Sequence, residues 1–305
     1  MAESKTRTTR LTRAALLLGG FFALDKGVAF VRQVIIAQQF GLSAELDAFN
    51  VANNLPDMLF ALISGGALAM AFIPVLSEVL NRDGQKAAWD LFSRIANLAF
   101  LVTAGLAVVV LIFAPQIVRS EVGIAPGFGT PQQDLVIDLM RLNLVATLIF
   151  SISGLVIAGL QANKHFLLPA LAPILYNIGQ IFGALILAPQ QGYTLGSVTL
   201  PAFGMGVHGL VYGVVIGAIL HLGIQIPGLI RYHFQWTPKI GIRTEGVAKV
   251  LRLMGPRLVT MFFIQLIFIA RDNFASRLEV GSVTALTYGW MIFQVPETLI
   301  GTAIG

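Results

Sequence analysis

Eight long apolar stretches, separated by short polar ones, run through the whole sequence. A helix needs about 20 residues to cross the roughly 30 Å hydrocarbon core of a bilayer, and each stretch is long enough to do so. The pattern therefore predicts an all-α polytopic membrane protein with about eight transmembrane helices. Their predicted limits are residues 13–38, 47–78, 88–115, 135–161, 167–189, 206–230, 250–274 and 282–305.

The composition narrows the class of function. Hydrophobic residues make up 56% of the chain and charged residues only 11%, whereas soluble domains carry about 25% charged residues. There are no cysteines, which excludes disulfides and thiolate metal ligands. We find no phosphate-binding P-loop, no nucleophile–base pair and no metal cluster in the sequence. We therefore expect a transporter rather than an enzyme, with no catalytic residues, no metal and no cofactor.

Basic residues are concentrated in alternate loops, which predicts the orientation through the positive-inside rule. With the basic N-terminus (residues 1–12) in the cytoplasm, the external segments 41–46 and 190–205 carry no Lys or Arg. The net charge of +5 is thereby assigned to cytoplasmic loops, not to nucleic-acid binding. The basic and aromatic stretch 231–249 is expected to be a solvated charge run, with recognition of the anionic inner leaflet as the alternative.

An internal repeat predicts two lobes. The segment from Val31 and the segment from Ala270 both carry an arginine at the second position, Arg32 and Arg271, followed by a Pro-acid-x-Leu pattern. After a one-residue gap, Pro56, Asp57, Leu59 and Gly65 match Pro296, Glu297, Leu299 and Gly305. Both copies start on the cytoplasmic side, so we expect parallel repeats, with the substrate between the lobes.

The repeat also predicts the domain limits. Spans one to six would form a first lobe over residues 13–232, and residues 233–249 would be a cytoplasmic linker. Residues 250–305 would begin a second lobe, which is incomplete because the sequence stops within an apolar run. We therefore expect the chain to be a fragment of a longer protein.

Three charged residues, Asp25, Lys26 and Arg32, lie inside the first span. A charge at the centre of a membrane helix costs at least about 2.5–3.5 kcal/mol, so such residues face a protein interior or a wet cavity and often mark a transport path. The alternative is a buried Asp25–Lys26 pair that only holds helices together.

The second span presents a polar stripe. Asp47, Asn50, Asn54 and Asp57 are spaced 3, 4 and 3 residues apart, which places them on one helical face. Asp47 is expected near the external interface, where its burial would cost little. The stripe and the charged face of span one together predict a hydrated cavity between the two helices. Hydrogen bonding between helices is the alternative for the asparagines.

Several motifs resemble the MurJ/MviN family, within the multidrug/oligosaccharidyl-lipid/polysaccharide exporter superfamily. The resemblance covers most of the chain after about residue 15. It is carried by "FVRQVIIAQQFGLSAELDAFNVANNLPDMLFALISGGALAMAFIPVLSE" from Phe30, "APGF" from Ala125, "LPALAPILYNI" from Leu168, "MGP" from Met254 and "GSVTALTYGWMIFQVPETLIG" from Gly281.

The resemblance implies a flippase that moves lipid II, the undecaprenyl-diphosphate-linked precursor of peptidoglycan, across the bacterial cytoplasmic membrane by alternating access. The family has about fourteen spans in two lobes, of which this chain looks like the first eight. Its implied partners are lipid II, membrane lipids and a coupling ion. The implied substrate site comprises Arg32, Lys26, Asp25, Asp47, Asn54, Asp57 and Arg271, with the cations on the diphosphate and Asp25 or Asp57 orienting them.

The sequence departs from the family pattern at several positions. Family arginines in spans two and eight fall on Phe60 and Met291, and a family acidic residue falls on Gln33. These departures leave three alternatives open. The chain could belong to an exporter of another polyprenyl-linked glycan, to an exporter of a drug-like cation, or to a membrane scaffold that transports nothing.

The charge bias yields a test of topology. Since the chain has no cysteine, Ser4→Cys and Thr194→Cys each create a unique thiol. We expect an impermeant thiol reagent applied outside intact spheroplasts to label Thr194→Cys and to leave Ser4→Cys unlabelled until the membrane is permeabilised. The reverse pattern would show that the orientation is inverted.

Overall fold

The computed structural model describes the backbone of residues 2–65 and 67–304, and the side chains between residues 19 and 294 apart from 64–67, 195 and 198. The basic side chains of residues 1–12 lie outside that range, as do the repeat matches at Gly65, Pro296, Glu297, Leu299 and Gly305. The helices are α1 (Ala2–Phe40), α2 (Ala44–Leu59), α3 (Ala67–Arg119), α4 (Thr130–Ala162), α5 (Leu167–Phe182), α6 (Val207–Gly223), α7 (Ile226–Arg231), α8 (Glu245–Ala275) and α9 (Ser282–Ile304).

Each predicted span corresponds to a helical segment, which confirms the all-α membrane fold. Two π-helical segments, Phe60–Gly65 and Gly183–Leu187, extend α2 and α5. Among the described residues, five continuous helical stretches are long and apolar enough to cross a membrane. The longest, Ala44–Arg119, contains both the second and the third predicted span.

The α3 segment breaks at Gly84, between the predicted limits of spans two and three. There the backbone has a φ of 83°, in the left-handed region that glycine tolerates best, and this bend separates spans two and three. Between α5 and α6, a small antiparallel hairpin pairs β1 (Thr194–Leu195) with β2 (Val198–Thr199).

Contacts between loops show that the first and seventh spans run in the same direction, as the repeat predicts. The loop after α1 meets the loop after α8, where a Cβ on Gly281 would lie 2.7 Å from the Cβ of Leu42. At this end, the start of α2 also contacts the start of α9, through Asp47 and Thr284. At the opposite end, Lys249 of α8 pairs with Glu78 of α3.

The helices enclose two apolar clusters. One cluster includes Leu46 and Val51 of α2 together with Leu139 of α4. The other includes Phe72 and Trp89, from the two arms of α3 on either side of Gly84.

Glycines bring α5 and its π-helical extension into backbone contact with α6. Gly209, Gly213 and Gly217 are spaced four residues apart on α6, and they face Gly179 and Gly183. A Cβ on Gly183 would lie 2.6 Å from the Cα of Gly213, which real contacts do not allow. Such small-residue ridges let membrane helices approach closely, and packing replaces the hydrophobic effect as the source of stability.

The close contact between α6 and the extension of α5 predicts that a larger side chain at Gly213 lowers the stability of the protein. Gly213→Val should lower the thermal unfolding midpoint of the detergent-solubilised protein, because overpacking of a tight interface costs about 1–3 kcal/mol or more. Gly105→Ala is the matched control, because nothing lies within 4 Å of a Cβ at Gly105. Tryptophan fluorescence during heating would measure both, and an unchanged midpoint for Gly213→Val would contradict the proposed packing.

Candidate functional site

Two adjoining cavities with polar groups in their walls lie among the helices of the first lobe, and Thr287 of α9 closes one of them. The arginine cavity has a volume of about 210 Å³ and is lined by Arg32, Asn50 and Gln180, among others. The histidine cavity has a volume of about 260 Å³ and is lined by Asn143, Thr147 and His221, among others. The two share the lining residues Asn53, Asp57, Tyr176 and Val214. They therefore adjoin each other between α1, α2, α4, α5, α6 and α9.

Arg32 is held in place by an asparagine of α5. One terminal nitrogen of Arg32 donates to Oδ1 of Asn177 at 2.9 Å, and Nδ2 of Asn177 donates to Oδ1 of Asp25 at 2.9 Å. Asn177 is only 5% exposed, so it bridges the cation and the anion from inside the lobe. Nε of Arg32 is buried without a partner among the described residues, so a ligand in the cavity would meet the terminal nitrogens of the guanidinium instead.

Lys26 occupies a different environment from Arg32. Its side chain is 60% exposed, its Nζ lies 3.9 Å from Oδ2 of Asp25, and it sits 5.2 Å above the ring of Phe22. It is not among the residues that line either cavity. The structure thus separates Lys26 from Arg32 on α1, and the Asp25–Lys26 pair is open on the lysine side rather than buried.

Asp57 lies where the two cavities join. Its side chain is exposed to the cavity, and the hydrogen bonds and ion pairs found among the described residues do not include it. Phe60, where the family resemblance expects an arginine, lines the histidine cavity and packs against Phe150 with ring centroids 5.4 Å apart. This end of the cavity therefore combines a carboxylate with aromatic walls.

Asp47, which we expect near the external interface, is fully buried within the protein. It is 1% exposed and accepts hydrogen bonds from the backbone N–H groups of Gly281 and Thr284, at 2.6 and 2.8 Å, and from Oγ1 of Thr284 at 2.6 Å. These donors stand at the beginning of α9, where the helix dipole favours an anion. Asp47 thus joins the first lobe to the second.

A second buried carboxylate, that of Asp272, accepts hydrogen bonds from Asn54 and Arg271. Asp272 is 0% exposed and accepts from Nδ2 of Asn54 at 2.5 Å and from Nε of Arg271 at 2.6 Å. The stripe on α2 is therefore divided. Asp47 and Asn54 bind α9 and α8, whereas Asp57 faces the cavity.

Sequence reasoning did not select several residues of this site. They are Tyr176, Asn177 and Gln180 of α5, Asn143 of α4, His221 of α6 and Asp272 of α8. A signal existed for the first three, because Tyr-Asn-x-x-Gln places polar groups on one face of an otherwise apolar span. His221 is further fixed by Ser153, whose Oγ lies 2.6 Å from Nδ1 of the ring.

Comparison with known proteins gives a consistent result. A family model described as "Lipid II flippase MurJ" matches residues 36–305. The lipid II flippase MurJ of Burkholderia cenocepacia is 31% identical over 97% of this chain and 55% of its own length. The probable lipid II flippase MurJ of Vibrio cholerae is 27% identical over 98% of this chain and 56% of its own length. This chain therefore spans about half the length of the curated relatives that it matches.

Solved structures share the fold. One, described as lipid II flippase MurJ in an inward closed conformation, superimposes with a TM-score of 0.73 at 23% identity, over 93% of this chain and 56% of the other. A multidrug resistance transporter of the MATE family, in an inward-facing conformation, gives a TM-score of 0.63 at 17% identity, over 90% and 57%. Both comparisons show a shared fold, and this chain covers just over half of each solved chain.

The hydrogen bonds between Asp47 and the start of α9 predict how firmly the loop after α1 is held against the loop after α8. With cysteines at Leu42 and Val280, in these two loops, Asp47→Ala should markedly slow cross-linking by a short thiol reagent, because all three hydrogen bonds to α9 are lost. Asp47→Asn should restore part of the rate, since an amide oxygen still accepts. Glu45→Ala, which removes an exposed carboxylate from the same helix, is the control. Equal rates for Asp47→Ala and Glu45→Ala would contradict the assignment.

Proposed function

This chain belongs to the lipid II flippase MurJ family, and from that membership we propose that it forms the first lobe and the beginning of the second lobe of a flippase for lipid II. It is a multi-pass protein of the bacterial inner membrane and a transporter rather than an enzyme. The proposed activity moves the undecaprenyl-diphosphate-linked glycopeptide across the cytoplasmic membrane for cell wall biosynthesis, with membrane lipids as its surroundings.

The position of Arg32 in the wall of the arginine cavity is the observation that supports this proposal most strongly. A guanidinium binds a phosphate through a bidentate fork, and Arg32 faces the arginine cavity with one terminal nitrogen bound to Asn177. Asn177 and Asp25 would fix its orientation. Lys26 lies six residues earlier, about 9 Å along the helix, so a diphosphate that enters from the inner side would pass it first.

Alternating access is the proposed mechanism. The buried bonds to Asp47 and Asp272 hold α2 against α8 and α9 near the outer end. At the inner end, Lys249 and Glu78 form an exposed pair, and such pairs contribute only about 0–1 kcal/mol. The present state would therefore open more easily inward, and outward opening would require the outer bonds to break.

Orientation and energy supply complete the proposal. We place the N-terminus and the linker 233–249 in the cytoplasm, with the first lobe over residues 13–232 and the second from residue 250. The driving force would be a coupling ion or the membrane potential, which supplies about 2.3 kcal/mol for each charge moved through 100 mV.

A second candidate function is export of a drug-like cation. It is favoured by one observation, the Asp57 carboxylate that faces both cavities beside Phe60 and Phe150 rather than beside an arginine. An anion site needs Arg32, whereas a cation site needs Asp57. Export of another polyprenyl-linked glycan would use the same diphosphate contacts as lipid II.

Removal of Arg32 tests the proposal. Arg32→Ala should abolish growth when the full-length gene complements cells depleted of their own flippase, because the diphosphate loses its fork. Arg32→Lys should restore growth only partly. Membrane levels are checked by immunoblot, and Arg141→Ala is the control, since Arg141 is a membrane-helix arginine outside both cavities.

The complementation result separates the candidates. Full growth with Arg32→Ala at normal membrane levels would refute the anion-binding role of Arg32. A cation exporter or a scaffold moves no lipid II, so failure of the unmodified full-length gene to restore growth at normal membrane levels would refute the flippase proposal. Loss of growth with Asp57→Asn together with normal growth of Arg32→Ala would assign substrate recognition to Asp57 rather than to Arg32.

A further inference from the structure

A third cavity lies away from the polar site, on the inner side of the first lobe. With a volume of about 420 Å³, this groove is larger than either polar cavity and is open toward the surroundings of the protein. Helices α3, α4, α6 and α7 form its walls, and the linker after α7 forms one rim. Its lining is almost entirely apolar and includes Phe92, Phe100, Ile152, Ile226, Phe234 and Trp236.

The linker is bound along α3 and forms a fixed rim. Nε1 of Trp89 donates to the carbonyl of Tyr232 at 2.9 Å. Two turns further along α3, Nδ2 of Asn97 donates to the carbonyls of Thr237 and Lys239 at 2.8 and 3.0 Å. These bonds hold residues 232–239 against the helix, so the groove is a built feature rather than a gap beside a loose loop.

Asn97 marks the inner edge of the hydrocarbon core. The 20 residues that follow it, 98–117, carry no charge, and as a helix they span about 30 Å, the thickness of the core. Nε1 of Trp236 donates to Oδ1 of Asn97 at 2.8 Å, which places this indole at the interface, where tryptophan is enriched. The groove therefore opens at the depth of the inner-leaflet headgroups and upper acyl chains.

The rim carries an excess positive charge. Nε of Arg94 lies 2.7 Å from Oδ2 of Asp90, and Nζ of Lys239 lies 4.0 Å from Oδ1 of the same carboxylate. One anion thus faces two cations, and the side chain of Lys239 is still 60% exposed. The excess matches the single negative charge of a phosphodiester.

We propose that this groove binds one anionic phospholipid of the inner leaflet, with an acyl chain against Phe100 and Ile226 and the phosphate at Lys239. The charge of the rim, the depth of its opening and its apolar lining all fit such a lipid. The groove is too small to hold the whole chain of an undecaprenyl carrier. Because the linker leads directly into α8, a bound lipid would contact the connection between the two lobes.

Native mass spectrometry of the detergent-purified full-length protein tests the proposal. Phosphatidylglycerol should bind more tightly than phosphatidylethanolamine with the same chains. Lys239→Gln should weaken phosphatidylglycerol binding about fivefold, as expected for one basic residue near a phosphate, and weaken phosphatidylethanolamine binding less, because the ammonium group of that lipid offsets its phosphate charge. Ile226→Trp, which fills the groove from its exposed edge, should weaken both lipids.

Arg243→Gln provides the matched control, because it removes the same charge from an exposed position of the same linker outside the groove. Equal losses for Lys239→Gln and Arg243→Gln would show a diffuse surface attraction and overturn the proposal. Displacement of phosphatidylglycerol by undecaprenyl phosphate more effectively than by excess phosphatidylglycerol would assign the groove to the prenyl carrier and overturn it as well. None of these binding measurements depends on flippase activity, so a negative result for the lipid groove is distinguishable from a failure of the proposed function.

Discussion

Inside a bilayer no water is available to satisfy polar groups, and this constraint determines where the polar side chains of this chain lie. Asp47 and Asp272 are completely buried, and each accepts hydrogen bonds from another helix. Arg32 of α1 and Asn50, Asn53 and Asp57 of α2 line the arginine cavity with Tyr176. The same physical requirement therefore produces both the junction between lobes and the polar interior of the first lobe.

The shape of the cavity depends on residues that have no polar side chain at all. The glycine contact between α5 and α6 brings the two backbones together, and Tyr176 packs directly against Gly217 within it. Asn177, the next residue, holds Arg32. A cation on α1 is thus positioned by backbone packing between two other helices, which explains why the geometry of the site could not be read from its charged residues alone.

Hydropathy predicted the eight spans and their order, because segment length and apolarity decide whether a helix crosses a membrane. It did not predict the geometry of the break at Gly84 between spans two and three, since this depends on a single backbone conformation. Periodicity placed Asp47, Asn54 and Asp57 on one face of α2. It did not identify the residues that this face contacts. Asp272 and Asn177 are distant in sequence, so only tertiary packing reveals that they receive Asn54 and Arg32.

The hydrogen bonds to Asp47 make the junction between the lobes more sensitive to substitution on the α2 side than on the α9 side. Two of its three donors are backbone N–H groups of Gly281 and Thr284, and a substitution that keeps the α9 backbone intact does not remove them. Replacement of the Thr284 side chain removes only one bond to the carboxylate. Loss of the Asp47 carboxylate removes all three. Substitution of the Thr284 side chain is therefore tolerated by this junction to a degree that substitution of Asp47 is not, whereas Gly281 has no room for a side chain beside Leu42.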